Sequence, residues 1–167
     1  MDGGREVDDL DALYAGSYRR LVVQMYAICG DLNDAEDAVQ EAFITAIRKR
    51  RTLLTVQNRE AWIRTVALHR LHRGWRHAAV VRRRQIADRN EQPTVEVGPE
   101  HVTLVSALKQ LDPRQREVIV LYHLADLSLA EIANHLDVPI GTVKSRLGRG
   151  RTRLSELLVE REEPSHD

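Results

Sequence analysis

Five cations near the C-terminus, Lys144, Arg146, Arg149, Arg151 and Arg153, are the side chains with the clearest chemistry to offer. Arginine on phosphate supplies salt-dependent affinity, whereas side chains facing base edges supply sequence choice. Other candidate chemistry is thinner. His69 and His72 stand three apart on a helical stretch, but they lack acidic or thiol company and arginine surrounds them, so no metal site is expected. Asp34 and Glu36 have the residue types of a general acid–base pair. In the first turn of a helix, adjacent carboxylates more readily form a solvated face or a docking surface for a basic partner. There is no Gly-rich phosphate loop, no G-x-S-x-G and no Cys cluster. No enzyme, cofactor or metal is expected.

The elements that position the cations lie in residues 125–154. Ser128 with Glu131 three residues on is a capping box that starts a helix. Leu129, Ile132, Ala133 and Leu136 follow at helical spacing, and Asp137-Val138-Pro139 breaks that helix. A second helix carries Val143, Leu147, Leu154 and Leu158 as its expected buried stripe, with the cations around it. Helix, short turn and basic helix is the layout of a helix-turn-helix DNA reader. An αα-hairpin with a solvated basic face is the plainer reading. Ala133 favours the sharper one, because a small residue in mid-helix lets a second helix cross closely.

The 167 residues fit one medium domain or two small ones. Hydrophobic residues make up 43% and aromatics only 4%, so cores must rely on Leu, Val, Ile and Ala. The net charge of zero conceals segregated blocks. Residues 31–41 hold Asp31, Asp34, Glu36, Asp37 and Glu41 and no base, whereas residues 48–84 are basic except for Glu60. Such segregation implies separate surfaces for partners of opposite sign. Cys29 is alone, so no intramolecular disulfide is possible, and its apolar surroundings suggest a small core residue. No apolar run approaches the roughly 20 residues of a membrane span. The N-terminus lacks the layout of a signal peptide, and a cytoplasmic protein without a membrane partner is expected.

An all-α chain follows from the periodicity: two small helical domains joined by a linker, the second with the helix-turn-helix. The first domain, residues 1–84, is expected to contain three helices. Leu10, Leu13, Tyr14, Leu21, Val22, Met25 and Ile28 mark the first, which Gly30 ends. Asn33 with Glu36 resembles a capping box for the second, whose inner face is Ala35, Ala38, Val39, Ala42, Phe43, Ala46 and Ile47. Residues 52–58 read as a loop, and Asn58 caps a third helix with Trp62, Ile63, Val66 and Leu71 inward and Arg64, His69, Arg70, Arg73, Arg76 and His77 outward or marginal. Residues 85–101 read as a linker. The second domain, residues 102–167, holds Asp112-Pro113, a cap followed by proline at the first helical position.

Three stretches carry a resemblance. Residues 34–43, DAEDAVQEAF, are similar to the signature helix of the extracytoplasmic-function (ECF) sigma factors of bacterial RNA polymerase. Residues 111–118, LDPRQREV, and 140–147, IGTVKSRL, resemble that family's second promoter-binding domain. The resemblance covers about residues 10–158, with both motifs in the family's order. It implies a sigma-70 family initiation factor that binds core RNA polymerase and promoter DNA. Asp34, Glu36, Asp37, Gln40 and Glu41 would dock on the clamp helices of the β′ subunit, with the β subunit and an anti-sigma protein as further partners. A loop spanning residues 53–58, including Leu53 and Asn58, would hold a flipped base of the minus-10 element, at a cost of a few kcal/mol for unstacking. Trp62, Arg64, Arg70, Arg73 and Arg76 would lie along that DNA. Lys144, Ser145 and Gly148 would read the minus-35 element, with Thr142 beside them and Arg146, Arg149 and Arg151 on or near phosphates.

The sequence also departs from the family. Its basic helix often reads A-R-N-x-x-x-D, whereas residues 67–73 here are ALHRLHR, so contacts of the asparagine and aspartate do not carry over to His69 and Arg73. Gly148 and Gly150 stand where bulkier residues or alanine are usual. The main alternative is a stand-alone helix-turn-helix regulator with a helical N-terminal sensing or oligomerisation domain. That alternative leaves unexplained why the first half pairs an acidic helix with a long basic one. An enzyme or scaffold that merely carries a basic hairpin is the third reading.

Overall fold

The computed structural model describes residues 3–81 and 94–162, and among them every regular element is a helix. In order these are α1 (Gly3–Cys29), α2 (Leu32–Arg48), α3 (Arg50–Thr55), α4 (Arg59–Val81), α5 (Pro99–Leu108), α6 (Pro113–His123), α7 (Leu129–Leu136) and α8 (Ile140–Glu162). The chain divides into two compact units, the first ending at Glu96 and the second beginning at Val97. Much of the expected linker lies outside the described residues. Its end does not: Gly98 is the N-cap of α5 and Pro99 its first residue, so the helix begins before Val102. The fixed φ of proline suits that position.

In the first unit α2 packs against both α1 and α4. Gly30 ends α1 with φ of 76°, and Asp31 then caps α2 by accepting the Asp34 amide at 2.9 Å. The cap is therefore Asp31, not Asn33, and the Glu36 side chain is engaged elsewhere. Ala35, Ala38, Val39, Ala42, Phe43 and Ala46 are buried along α2, meeting Leu21, Val22, Met25 and Ile28 of α1 and Ile63, Ala67, Leu68 and Leu71 of α4. The alanines let both neighbours come close. Ile47, expected inside, is 60% exposed, because it stands about 100° around the helix from the fully buried Ala46 and so falls at the edge of the packed face. Tyr14 is also exposed, its ring stacked on Tyr18 at 4.6 Å and edge-on to Phe43 at 4.9 Å.

Two local expectations are corrected in this unit. Residues 50–55 form a helix rather than a loop, since they hold no glycine or proline and Leu53 finds an apolar place to bury. Arg64 does not face outward: it is 6% exposed, and its Nε donates to Gln24 Oε1 at 2.9 Å. Glu60 accepts from Arg64 at 3.4 Å and from Arg20 at 2.6 and 2.8 Å, tying α1 to α4. Buried charge persists only where partners of this kind satisfy it. Asn58 does cap α4, accepting the Ala61 amide at 2.9 Å.

In the second unit α6 packs on both α7 and α8, with Val118, Ile119, Val120 and Leu121 all buried. Asp112 caps it through the Arg114 amide at 2.9 Å. The Ser128–Glu131 capping box is complete. Helix α7 ends on Asp137, which adopts a left-handed φ of 52°, while the Val138 amide bonds the Ala133 carbonyl at 3.1 Å. The stop is thus an αL cap with Pro139 behind it. On α8 the buried positions are Val143, Leu147, Gly150 and Leu157, with Leu154 half-buried. Leu158 is 40% exposed and leaves the expected stripe. Gly150 takes a place in the seam because α6 crosses there: a Cβ at this position would meet Ile119 Cγ1 at 2.9 Å.

Substitution at Gly148 and at Gly150 of α8 therefore has opposite signs. Gly148 is open, with nothing within 4 Å of an added Cβ, so Gly148→Ala gains about 0.5–1 kcal/mol in urea unfolding. Gly150→Val overpacks the α6 crossing and loses about 1–3 kcal/mol. The Arg20 hydrogen bond holds the Glu60 carboxyl below its ordinary range, against a smaller opposing effect of burial. A depressed folded-state value contributes stability above the unfolded carboxylate range and loses it as pH falls. Arg20→Met should thus destabilise at pH 7 and converge on the parent at pH 3, as measured by urea unfolding at both values.

Candidate nucleic-acid and partner interfaces

On α8 the buried seam determines what remains outside. At roughly 3.6 residues per turn, the face opposite Val143, Leu147 and Gly150 carries Gly141, Ser145, Gly148, Arg149 and Thr152, all exposed. Lys144 is exposed at one margin, and Arg146 and Thr142 are half-buried at the other. Every candidate from Thr142 to Arg149 therefore lies on or beside one outward strip. Arg151 is different. Four residues after Leu147 and three before Leu154, it leans toward α6, where its Nε donates to His123 Nε2 at 3.2 Å and its guanidinium lies 5.0 Å from the Tyr122 ring centroid. Accepting that bond requires a neutral imidazole with its proton on Nδ1. Burial and the Arg151 charge both push His123 below its ordinary pKa. Arg153 donates to Glu156 at 3.1 Å. Its spacing from the seam gave a usable signal for Arg151; nothing in the sequence indicated the His123 bond.

In the first unit the docking candidates of α2 separate into two groups. Asp37 and Gln40 are exposed, Asp34 and Glu41 half-buried, and Ile44 and Ile47 continue the exposed strip toward the C-terminal end of the helix. Gln40 Nε2 donates to the Tyr18 hydroxyl at 3.3 Å, and burial raises the Tyr18 pKa above its ordinary value. Glu36 leaves this surface. It is 6% exposed, accepting hydrogen bonds from Thr94 and Val95. The expectation that it faces solvent with its neighbours is corrected: residues 94–95 cover it. No feature of residues 31–41 alone signals this contact, which spans 58 positions.

Along α4, His69, Arg70, Arg73 and His77 are exposed, and Arg70, Arg73, Gly74 and His77 join Glu41 of α2 around a cleft of about 500 Å³. Trp62 is half-buried. The Arg76 side chain lies outside the described residues. Leu53 is 4% exposed and serves the core, so it does not line an open base pocket; Leu54, 41% exposed, is the apolar residue of α3 that faces solvent. Asn58 is exposed while capping α4. Cys29 is half-buried, its thiol donating to the Asp31 carbonyl, and burial pushes its pKa up to about 12, which keeps it unreactive at neutral pH. Among the described residues no group of three or more His, Cys, Asp or Glu is placed to hold a metal ion, and no helix is long and apolar enough to cross a membrane.

Comparison with known proteins places both units. Residues 13–80 match the family model for sigma-70 region 2, and residues 101–154 match that for sigma-70 region 4. The chain is 32% identical to the ECF RNA polymerase sigma factor SigE of Mycolicibacterium smegmatis, over 92% of this chain and 62% of that protein. It is also 32% identical to the RNA polymerase sigma-E factor of Streptomyces coelicolor, over 77% of this chain and 74% of the relative. Among solved structures, the sigma factor RpoE of Bartonella quintana, crystallised with the anti-sigma factor NepR, aligns with a TM-score of 0.73 and 26% identity, covering 90% of this chain and 96% of that one. With both regions matched in order and relatives of this identity over most of their length, the chain belongs to the sigma-70 family of RNA polymerase sigma factors, in its ECF group.

Proposed function

We propose that the chain acts as a two-point promoter grip carried by core RNA polymerase, with each unit supplying one surface. The observation that carries this reading is the outward strip of α8, where Ser145, Gly148 and Arg149 stand opposite a fully packed seam in the helix-turn-helix unit, with Lys144 and Arg146 at its margins. A rigid helix with one face buried presents its other face to the major groove in a fixed register. Lys144 and Arg149 meet phosphates, Ser145 and Gly148 face base edges, and Arg146 supports from the margin. Arg151 braces α8 against Tyr122 and His123 rather than reaching phosphate.

In the first unit the basic face of α4, with Arg70 and Arg73, runs along the minus-10 DNA, and the end of α3 with Asn58 adjoins it. Asp34, Asp37, Gln40 and Glu41 dock on a basic partner surface, taken to be the β′ clamp helices. The initiation chemistry stays with the polymerase, and the chain contributes recognition rather than catalysis. This reading places it in the cytoplasm, where core enzyme and promoter are found. An anti-sigma protein is a further candidate partner, supported by the partner named for the similar Bartonella quintana structure.

Core polymerase pull-down followed by run-off transcription tests the whole reading. The chain should be retained by core enzyme and should bind duplex promoter DNA weakly without it. Tight, specific duplex binding by the chain alone, with no retention by core, would instead establish the stand-alone regulator. Asp37→Lys should weaken core binding at least tenfold in a competition assay with the helical circular-dichroism signal unchanged. Lys144→Ala and Arg149→Ala should each lower promoter affinity of the holoenzyme and reduce the slope of log K against log salt by about 0.9. Arg151→Ala should leave that slope near the parent value.

A further inference from the structure

Glu36 is the one carboxylate of residues 31–41 that the fold takes out of water. Its Oε1 accepts from the Thr94 amide at 2.8 Å, the Thr94 hydroxyl at 2.8 Å and the Val95 amide at 2.5 Å, and its Oε2 lies 3.1 Å from the Thr94 amide. One residue further on, Arg19 of α1 donates to the Glu96 carbonyl at 3.1 Å. Residues 94–96 thus lie as a strap across α1 and α2 of the first unit. A buried carboxylate is tolerated where charge-assisted hydrogen bonds replace its water, and here all three donors come from the strap. Asp37 and Gln40, one residue and one turn away, stay exposed with the strap in place. The strap and the proposed docking strip are therefore separate surfaces of one helix.

Only Val97 and Gly98 separate Glu96 from Pro99, the first residue of α5. We infer that Glu36 is a positioning residue that seats the downstream end of the linker on the first unit, so that the joint between the two promoter-binding units is residues 97–98. The inference rests on the two-point reading above. Without the clasp, the whole stretch after α4, residues 82–98, would serve as the tether, and a free chain of that length spans on the order of 20 Å. Two residues reach at most about 7 Å, so the clasp limits how far the two units can separate in the free chain. Glu36 thereby limits the separation of the two readers in the free chain, with no contact of its own to DNA or polymerase.

Two measurements on the full chain test this. Amide exchange followed by NMR should show Thr94 and Val95 protected at least tenfold over unfolded-chain rates in the parent. Protection should be lost in Glu36→Ala and largely kept in Glu36→Gln, whose carboxamide oxygen can take the Oε1 bonds. Spin labels at Thr52→Cys and Ser155→Cys, in a Cys29→Ala background, should give an inter-unit distance distribution that broadens in Glu36→Ala and not in Glu36→Gln. Unprotected Thr94 and Val95 in the parent, or equal distribution widths in parent and Glu36→Ala, would overturn the inference. Should Glu36→Ala lose its helical signal, Thr94→Val with Val95→Pro removes two of the three strap donors and makes the same comparison. Failure of core binding by the parent would remove the two-point reading while leaving the exchange and distance results to decide the clasp.

Discussion

Close approach of helices at small side chains is the constraint on which both units rest. In the first unit Ala35, Ala38, Ala42 and Ala46 flatten one face of α2, so that α1 and α4 can both pack against it and bury Met25, Ile63 and Leu68. In the second, Gly150 removes even a Cβ where Ile119 of α6 crosses α8. Interiors packed at crystal-like density transmit such constraints rigidly. Once the inner face of α2 or α8 is committed, the outward face is fixed in rotation. That rotation decides which of many charged side chains can meet a partner.

Charge follows this division in an ordered way. The cations of α4 and α8 that face solvent form coherent strips, whereas those that fall near a seam are taken up by the protein itself. Arg64 is held by Gln24 and Glu60, and Arg151 by His123 and Tyr122. Among the acids, Glu36 is similarly taken up by residues 94–95, while Asp37 stays outside. A net charge of zero thus coexists with surfaces of opposite sign, because partition between seam and strip matters more than the total.

These internal uses of charge have a stabilising logic that differs from the surface strips. Glu60 bridges α1 and α4 through Arg20 and Arg64, joining elements forty residues apart in sequence. Its depressed pKa records that the partnership favours the ionised form. The surface strips face solvent instead. Their cations stay hydrated until a polyanion releases its counterions, which is the origin of salt-dependent binding.

Local rules made much of the protein legible in its residues. The capping box at Ser128, the Asp112-Pro113 start, the glycine stop after α1 and the alanine face of α2 all depend on side chains within four positions of one another. Such short-range chemistry is readable without a fold. The two-motif resemblance rested on the same kind of local pattern. What only tertiary structure decided were the contacts that close over long loops. Glu36 meets Thr94, Arg64 meets Gln24, and Gly150 meets Ile119, each pair 31 to 58 positions apart. Spacing along one helix assigns a residue to a face to within about one position, and Arg64, Arg151 and Leu158 fell at that margin. Which side of the margin each took depended on whether a neighbouring helix offered a partner or a void, and that information belongs to the packed structure.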